Sequence, residues 1–478
     1  MTVAPRTPRR PGDERGLVNP YPIRYPDSTS PAVMTRRAWW LVVVNLLIPG
    51  SAQAAAGNRR LAKLGLGATL VMWVLAVLAV LVAVVWRPFF LTVVTNSLVL
   101  LIIQIALVAY AVLWIVLALD TLRLVRLIKT RPWARLAVPA AVVAVTLVVS
   151  GGAGYAAVLV GSARNALGSV FSSGGPAVAP TDGYYNILLL GVDSGAGRDS
   201  MRPDSISVAS VNADTGQVTI TGIPRDMKDV PFAPGPMQTL FPDGYKGKNC
   251  GTAHCAINEI FTEVNVLRKG TDIYPDATTY QYSPGIEAVK DAAEGVTGLT
   301  IPYYVFIDMD GFAALIDALG GIDITVTERL PKGWGPTYTN EPASKWAIGW
   351  IEPGAQHMDG DTAQWYARSR YTTSDWDRML RQRQLQEAIL AQFTPANVLS
   401  RFQDVANAGT HIIETDIPDS MIGYFLDLAI KAKGQPVQSL ELTPAGANID
   451  PDKPDFTVTR ALVAEKLHPS SATPSPTG

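Results

Sequence analysis

Acids and arginines recur within one stretch, Tyr184 to Asp226, which holds Asp193, Arg198, Arg202, Asp204, Arg225 and Asp226. Carboxylate oxygens take a hard divalent cation, and guanidinium forks grip phosphate oxygens bidentately. Side chains of both kinds, brought to one place, suit a pyrophosphate held through a metal. A solvated loop with surface ion pairs is the plain alternative. A second cluster lies downstream, in Tyr366-Ala-Arg-Ser-Arg370 and in Asp375-Trp-Asp-Arg-Met-Leu-Arg-Gln382. There Arg368, Arg370, Arg378, Arg381 and Gln382 offer further anion-binding groups.

The local patterns say how these residues are positioned. Asn186–Val192 is an apolar run of strand length closed by Gly191, as a strand buried on both faces should look. Asp193 follows its end. Ile206, Val208 and Ser210 alternate with their neighbours, a turn falls at Asp214–Gly216, and Val218, Ile220 and Gly222 carry the period back, which predicts a hairpin. With strand one antiparallel to strand two, Asp193, Asp204, Arg225 and Asp226 converge on one edge of the sheet.

Extended backbone from Tyr366 to Arg370 would put Tyr366, Arg368 and Arg370 on one face. Ser374 and Asp377 have the spacing of a capping box that opens a helix. The inward stripe of that helix runs through Leu385, Ile389 and Phe393, and backwards it meets Gln382, Arg381 and Arg378. A buried guanidinium needs an anion, either an internal carboxylate or a phosphate ligand at the helix N-terminus. Between the clusters, Gly285–Gly298 reads as a helix. Pro302–Asp308, Asp310–Leu319 and Ile322–Val326 read as a βαβ unit, with Asp308 and Asp310 capping its helix rather than binding a ligand. Tyr274–Pro284 and Pro331–Gly354 carry no such signal.

The rest of the chain places this domain beside a membrane. Of 478 residues, 48% are hydrophobic and only 17% charged, which points to membrane segments. Residues 1–37 read as a disordered basic tail. Residues 38–160 form the membrane region, with spans near 64–85, 91–119 and 136–160, each about the 20 residues a bilayer needs. The stretch 38–56 is broken by Asn45, Pro49, Gly50, Ser51 and Gln53 and suits a re-entrant or interfacial segment. Basic residues follow it at Arg59, Arg60 and Lys63 and fill the connection from Arg123 to Arg135, so three spans leave everything after Val160 outside the cell. Residues 161–182 read as a linker, 183–467 as the extracellular domain and 468–478 as a disordered tail. Nothing in the charge pattern suggests nucleic acid. Cys250 and Cys255 suit a small disulfide loop, and zinc with His254 is the rival reading.

Taken in order, Asn-Ile-Leu-Leu-Leu-Gly-Val-Asp-Ser, Arg202-Pro-Asp-Ser, Ile-Pro-Arg225-Asp, Ala-Ile-Asn258, Tyr304–Gly321, Tyr366-Ala-Arg-Ser-Arg and Asp375–Gln382 resemble the LytR-CpsA-Psr family. With Pro-Gly-Ser-Ala-Gln in the first apolar stretch, the chain looks like its actinobacterial, multi-span members. The resemblance implies an α/β domain of three layers, α/β/α, around a central mixed sheet, with a hydrophobic pocket for a polyprenyl pyrophosphate. It also implies Mg²⁺ (or Mn²⁺) held by Asp193 and Asp204. Asp193, Asp204 and Arg225 match catalytic positions, and Arg202, Arg225, Arg368, Arg370, Arg378, Arg381 and Gln382 match substrate-binding ones. The implied reaction moves a glycopolymer from its polyprenyl-pyrophosphate carrier to peptidoglycan through a phosphodiester link, at the outer face of the cell membrane. A polyprenyl-pyrophosphate phosphatase and a non-catalytic lipid-binding regulator would use much the same residues. Two departures stand out: Gly195 where the family often has Arg, and Ala256 where it often has Lys, with Arg198 or Lys246 as replacements.

Overall fold

The computed structural model describes residues 23–170, 177–192, 202–277, 282–336, 338, 341–392 and 413–469. Asp193, Gly195, Arg198 and Phe393 lie outside them. The chain divides into two units, one of residues 1–82 and 101–160 and one of residues 83–100 and 161–478.

In the first unit, α1 (Pro31–Leu47) and α2 (Ser51–Ala56) flank a break at Gly50, whose φ is +92°. Polar side chains satisfy the backbone and each other around that break. Asn45 accepts from Gly50 N at 3.2 Å, and Gln53 donates to Leu117 O and Thr121 Oγ1 at 3.0 and 3.1 Å. The expected tail boundary at residue 37 is corrected, because Pro31 opens α1 and Arg37 is folded in. Its guanidinium donates to Ile23 O and Leu124 O at 2.7 and 2.9 Å. Among the described residues, three helices are long and apolar enough to cross a membrane: α3 (Arg59–Val85), α5 (Ser97–Val125) and residues Ala134–Asn165 of α6 (Ala134–Val170).

Two boundaries differ from expectation. The apolar run from Phe89 is cut at Asn96, which ends α4 (Arg87–Thr95) and accepts from Leu98 N and Val99 N at 3.1 and 3.2 Å to open α5. Helix α6 runs to Val170, into the expected linker. Its Ser-Ala-Arg-Asn-Ala-Leu segment has no proline to stop it, and helix propensity outweighs the two flanking glycines.

The second unit is built on a six-stranded mixed sheet in the order β10-β3-β2-β1-β4-β9. Its strands are β1 (Tyr184–Val192), β2 (Pro203–Asn212), β3 (Val218–Ile223), β4 (Tyr303–Asp308), β9 (Ile413–Thr415) and β10 (Gln438–Glu441). β1–β2 and β2–β3 are antiparallel, while β1 and β4 are parallel. Alternation along β1 sends Leu188 and Leu190 against α7 (Pro284–Thr297), and Tyr185 and Ile187 against α11 (Ile422–Ala432). Helices α8 (Met309–Leu319), α9 (Gly360–Arg368) and α10 (Asp375–Gln392) complete the three layers, and α12 (Phe456–Leu467) packs on α7. Helix α4 belongs to this unit and lies on α11. Arg87 Nε meets the buried Asp427 at 2.9 Å, and a Cβ on Gly423 would come within 2.4 Å of Thr92 N.

The βαβ expectation fails at its third element. Asp308 does cap α8, accepting from Gly311 N at 2.7 Å. However, β5 (Ile322–Val326) leaves the main sheet and pairs antiparallel with β8 (Gly354–Met358). Asp323 and Thr325 alternate with its apolar residues, and a strand with one wet face cannot lie in the doubly covered centre of a parallel sheet. Between these two strands, β6 (Leu330–Lys332) and β7 (Gly349–Ile351) form a second small pair.

Candidate pyrophosphate site

The register carries the first cluster to one end of the sheet. Val192 lies opposite Pro203, Ile206 opposite Ile223, and Val192 beside Asp308. The end of β1, the start of β2, the end of β3 and the start of α8 therefore share one edge, as the alternation predicts. Above that edge is a cavity of about 790 Å³. Arg202, Asp204, Arg225 and Asp226 line it from the sheet, Arg368 and Arg370 from the end of α9, and Arg378 and Gln382 from the first turns of α10.

The second cluster reaches the cavity by a different local structure from the expected one. Residues 366–368 are helical, because Asp359 caps α9 by accepting from Thr362 N at 2.9 Å and Ala363, Tyr366 and Ala367 bury its inner face. Arg368 thus closes a helix, where the dipole favours a cation, and Arg370 follows in the loop. The capping box is present, with Ser374 N donating to Asp377 Oδ2 at 2.9 Å and Asp377 N to Ser374 Oγ at 3.1 Å.

Arg378, 4% exposed, and Arg381, 5% exposed, both face inward as the stripe predicts, but only the first reaches the cavity. The Arg378 guanidinium lies 3.5 Å from Asp204 Oδ1 and 3.1 Å from Asp375 Oδ1, while Arg225 bonds Asp204 Oδ1 and lies 3.4 Å from Asp375. Burial pulls the Arg378 pKa down from its ordinary value, the nearby Arg225 adds to this, and Asp375 and Asp204 oppose it. Arg381, which the resemblance matches to a substrate-binding position, does not line the cavity. It donates to Tyr366 O at 3.2 Å, to Ser369 O and to Thr373 Oγ1 at 3.1 Å, and Glu328 Oε1 lies 3.6 Å from its Nη1, so two carbonyls, a hydroxyl and an internal carboxylate are the partners its burial requires. A third inward arginine, Arg383, pairs with the buried Glu441 at 2.7 Å.

Several residues of the cavity and of the ion-pair network beside it were not singled out from the sequence. Asp375 could have been found, since it lies three residues before Arg378 on a helix and so shares its face. Glu259, buried, faces Arg202 at 3.2 Å. Lys228 stands opposite Ala256 in an isolated antiparallel bridge, bringing a cation beside the position where the family often has lysine. It also lines the cavity, which Lys246 does not. Trp334, Trp365 and Tyr371 form an aromatic wall.

Gln382 donates to Ala367 O at 3.4 Å and stands between this cavity and a narrow apolar one lined by Gly191, Ile307, Met309, Phe312 and Leu385. The apolar cavity, at about 50 Å³, has room for one or two waters at roughly 30 Å³ each. A prenyl chain entering there would have to displace Phe312 and Leu385. Apart from this edge, Cys250 and Cys255 are bonded to each other with Cα atoms 5.9 Å apart.

A mixed sheet between helical layers, with an arginine-lined cavity at one edge, defines an anion-binding α/β protein. The LytR_cpsA_psr family model matches residues 172–455, and the chain belongs to that family. The polyisoprenyl-teichoic acid–peptidoglycan teichoic acid transferase TagU of Halalkalibacterium halodurans is 26% identical over 271 residues, 56% of this chain and 71% of that protein. For the protein of the same name in Enterococcus faecalis the figures are 25% over 238 residues, 49% of this chain and 61% of its own length. The probable cell wall biosynthesis protein LcpB of Corynebacterium glutamicum is 35% identical over 121 residues, 25% of this chain and 26% of its own. The crystal structure of B. subtilis TagV is 21% identical with a TM-score of 0.41, covering 60% of this chain and 98% of that one.

Proposed function

We propose that this protein is a membrane-anchored transferase that moves a glycopolymer from a polyprenyl-pyrophosphate carrier to peptidoglycan, with its α/β domain outside the cell. The observation that carries the reading is the convergence of Arg202, Arg225, Arg368, Arg370 and Arg378 on one cavity. Family membership and the transferases among its relatives support it.

Catalysis here is positioning and charge neutralisation. The arginines hold the pyrophosphate oxygens, and the Asp204–Arg225–Asp375–Arg378 network fixes two of their guanidinium groups before substrate arrives. An acceptor hydroxyl attacks the phosphorus next to the sugar, a new P–O bond forms, and the bond to polyprenyl phosphate breaks. Of the cavity carboxylates, Asp204 is bonded to arginines, Glu259 faces Arg202 and Asp452 pairs with Lys228 at 2.6 Å. We assign the hydroxyl proton to Asp226, which is exposed on the cavity wall. Asp204 meets the arginines through Oδ1, so Oδ2 is the oxygen it would offer to Mg²⁺, with Asp193 as second ligand. Among the described residues no group of three or more His, Cys, Asp or Glu is arranged to hold a metal, so pyrophosphate oxygens and water would complete the shell. The ion would supply charge neutralisation at the phosphate oxygens.

The test is turnover of a lipid-linked pyrophosphate glycan, with and without Mg²⁺ and with peptidoglycan fragments as acceptor. Arg225→Ala should weaken head-group binding and turnover together, while Asp193→Asn should lose Mg²⁺-dependent turnover and still bind lipid. Full Mg²⁺-dependent transfer by Asp193→Asn would remove the metal assignment, and release of free glycan phosphate without acceptor would turn the reading to a phosphatase.

A further inference from the structure

The cavity is larger than its charged groups require. At roughly 30 Å³ per water, 790 Å³ has room for about 26 waters, whereas a pyrophosphate has nine heavy atoms. The remaining wall is aromatic. Trp334, on the connection between β6 and β7, is 69% exposed, unusual for so large an apolar ring in a folded domain. It is nevertheless held in place. The Arg368 guanidinium carbon lies 5.2 Å from its ring centroid, and the Trp365 ring meets it at 5.3 Å and 73°. Tyr371 Oη donates to Trp334 O at 2.8 Å. Gly335 next to it has φ +99°, and a Cβ there would clash with the phenol end of Tyr371, 2.0 Å from its Cζ.

From this clamped indole beside a phosphate-binding arginine, we propose that Trp334 is the stacking platform for the first pyranose of the glycan, the sugar joined to the pyrophosphate. The proposal rests on the transferase reading above and names the sugar subsite of the same cavity. An indole face carries negative quadrupole charge, and the C–H face of a pyranose offers apolar, slightly positive hydrogens to it. Arg368 secures both partners: its guanidinium orients the ring and takes the phosphate, so the sugar following that phosphate meets the indole. Fixing the ring beforehand avoids the ordering cost that a free surface tryptophan would incur on binding.

Two probes separate the sugar from the head group: farnesyl pyrophosphate and farnesyl pyrophosphoryl N-acetylglucosamine, titrated calorimetrically into the detergent-solubilised full chain. The native protein should bind the glycosylated probe about three- to tenfold more tightly, the range one aromatic stacking contact supplies. Trp334→Ala should abolish that preference, weakening the glycosylated probe several-fold more than farnesyl pyrophosphate, and Trp334→Phe should keep part of it. A preference that persists in Trp334→Ala overturns the platform and leaves the head-group site standing. Failure of the native protein to bind either probe overturns both readings. Trp334, Tyr338 and Ile348 are all more than 60% exposed on one segment, so quenching by brominated anionic lipid of the fluorescence that Trp334 contributes, taken as native minus Trp334→Phe, is measured in parallel in reconstituted vesicles. Quenching of that contribution with the sugar preference intact in Trp334→Ala would make the residue a membrane contact and reject the proposal.

Discussion

Arg378→Gln and Arg381→Gln should fail in opposite ways, although both arginines are buried on the inner side of α10. Arg381 serves Tyr366 O, Ser369 O and Thr373 Oγ1, tying the end of α9 and its following loop to α10. Hydrogen bonds to charged groups contribute about 1.5–3 kcal/mol each, and a shorter Gln leaves buried carbonyls unpaired, so the substitution should lose about 3–5 kcal/mol. At about 2–4 °C per kcal/mol, Tm should fall by about 6–20 °C. Arg378 stands among groups that keep Arg225 as a partner when it is gone, and its own burial penalty disappears with it, so stability should change by no more than about 1–2 kcal/mol. The loss is in binding. A guanidinium about 4 Å from a phosphate oxygen at an effective dielectric of about 20 interacts by about 4 kcal/mol before desolvation, and a net loss of about 2–3 kcal/mol is roughly 30- to 150-fold in affinity. Calorimetric titration with farnesyl pyrophosphate and thermal unfolding followed by tryptophan fluorescence read the two effects separately. If Arg381→Gln kept its Tm and lost binding while Arg378→Gln did the reverse, the assignment of the two side chains would be refuted.

Three further outcomes follow from the geometry. Lys228→Ala should weaken prenyl pyrophosphate binding several-fold at low ionic strength and much less at about 1 M salt, where the Debye length is about 3 Å; a salt-independent loss would remove its electrostatic role. Asp291 lies on α7, and burial with help from nearby Glu287 raises its pKa from 3.8 to about 6, against the hydrogen bond from Tyr274. The folded state therefore keeps a proton that the unfolded chain releases, and this contribution is complete below about pH 4 and lost as pH rises through about 6. Asp291→Asn should raise Tm at pH 7.5 by the equivalent of about 3 kcal/mol and leave it nearly unchanged at pH 4, whereas a parallel shift at both pH values would show that the carboxyl does not titrate there. Finally, a reporter fused at Gly478 should be active only outside the cell and one inserted near Lys129 only inside; activity of both on the same side would overturn the three-span topology.

Local pattern determined much of this protein before any tertiary contact is considered. Alternation in Ile206–Val211 and Val218–Gly222, with a turn between them, is enough to make a hairpin, and a hairpin beside the buried β1 brings Asp204 and Arg225 to one edge. Three helices of span length, the Asp308 cap and the Ser374–Asp377 box are equally local. Periodicity also says that Arg378 and Arg381 point inward. What it cannot say is what each meets there, because that is decided by residues outside the helix, near in the chain for Arg381 and far away for Arg378. Asp204 comes from β2 and the carbonyl of Ser369 from the end of α9, so two neighbouring arginines on one helix have one ligand-facing and one structural role. The same holds for Lys228, whose place beside Ala256 depends on a bridge between two loops, and for β5, whose partner is β8 rather than the central sheet. Trp334 is the extreme case. Its segment has neither period nor cap to report, and only the packing of Tyr371 and Arg368 around it turns an exposed indole into a wall of the cavity. Side-chain direction is set by the backbone repeat within a few residues, whereas the identity of a partner is set by long-range closure of the chain, which leaves no local trace.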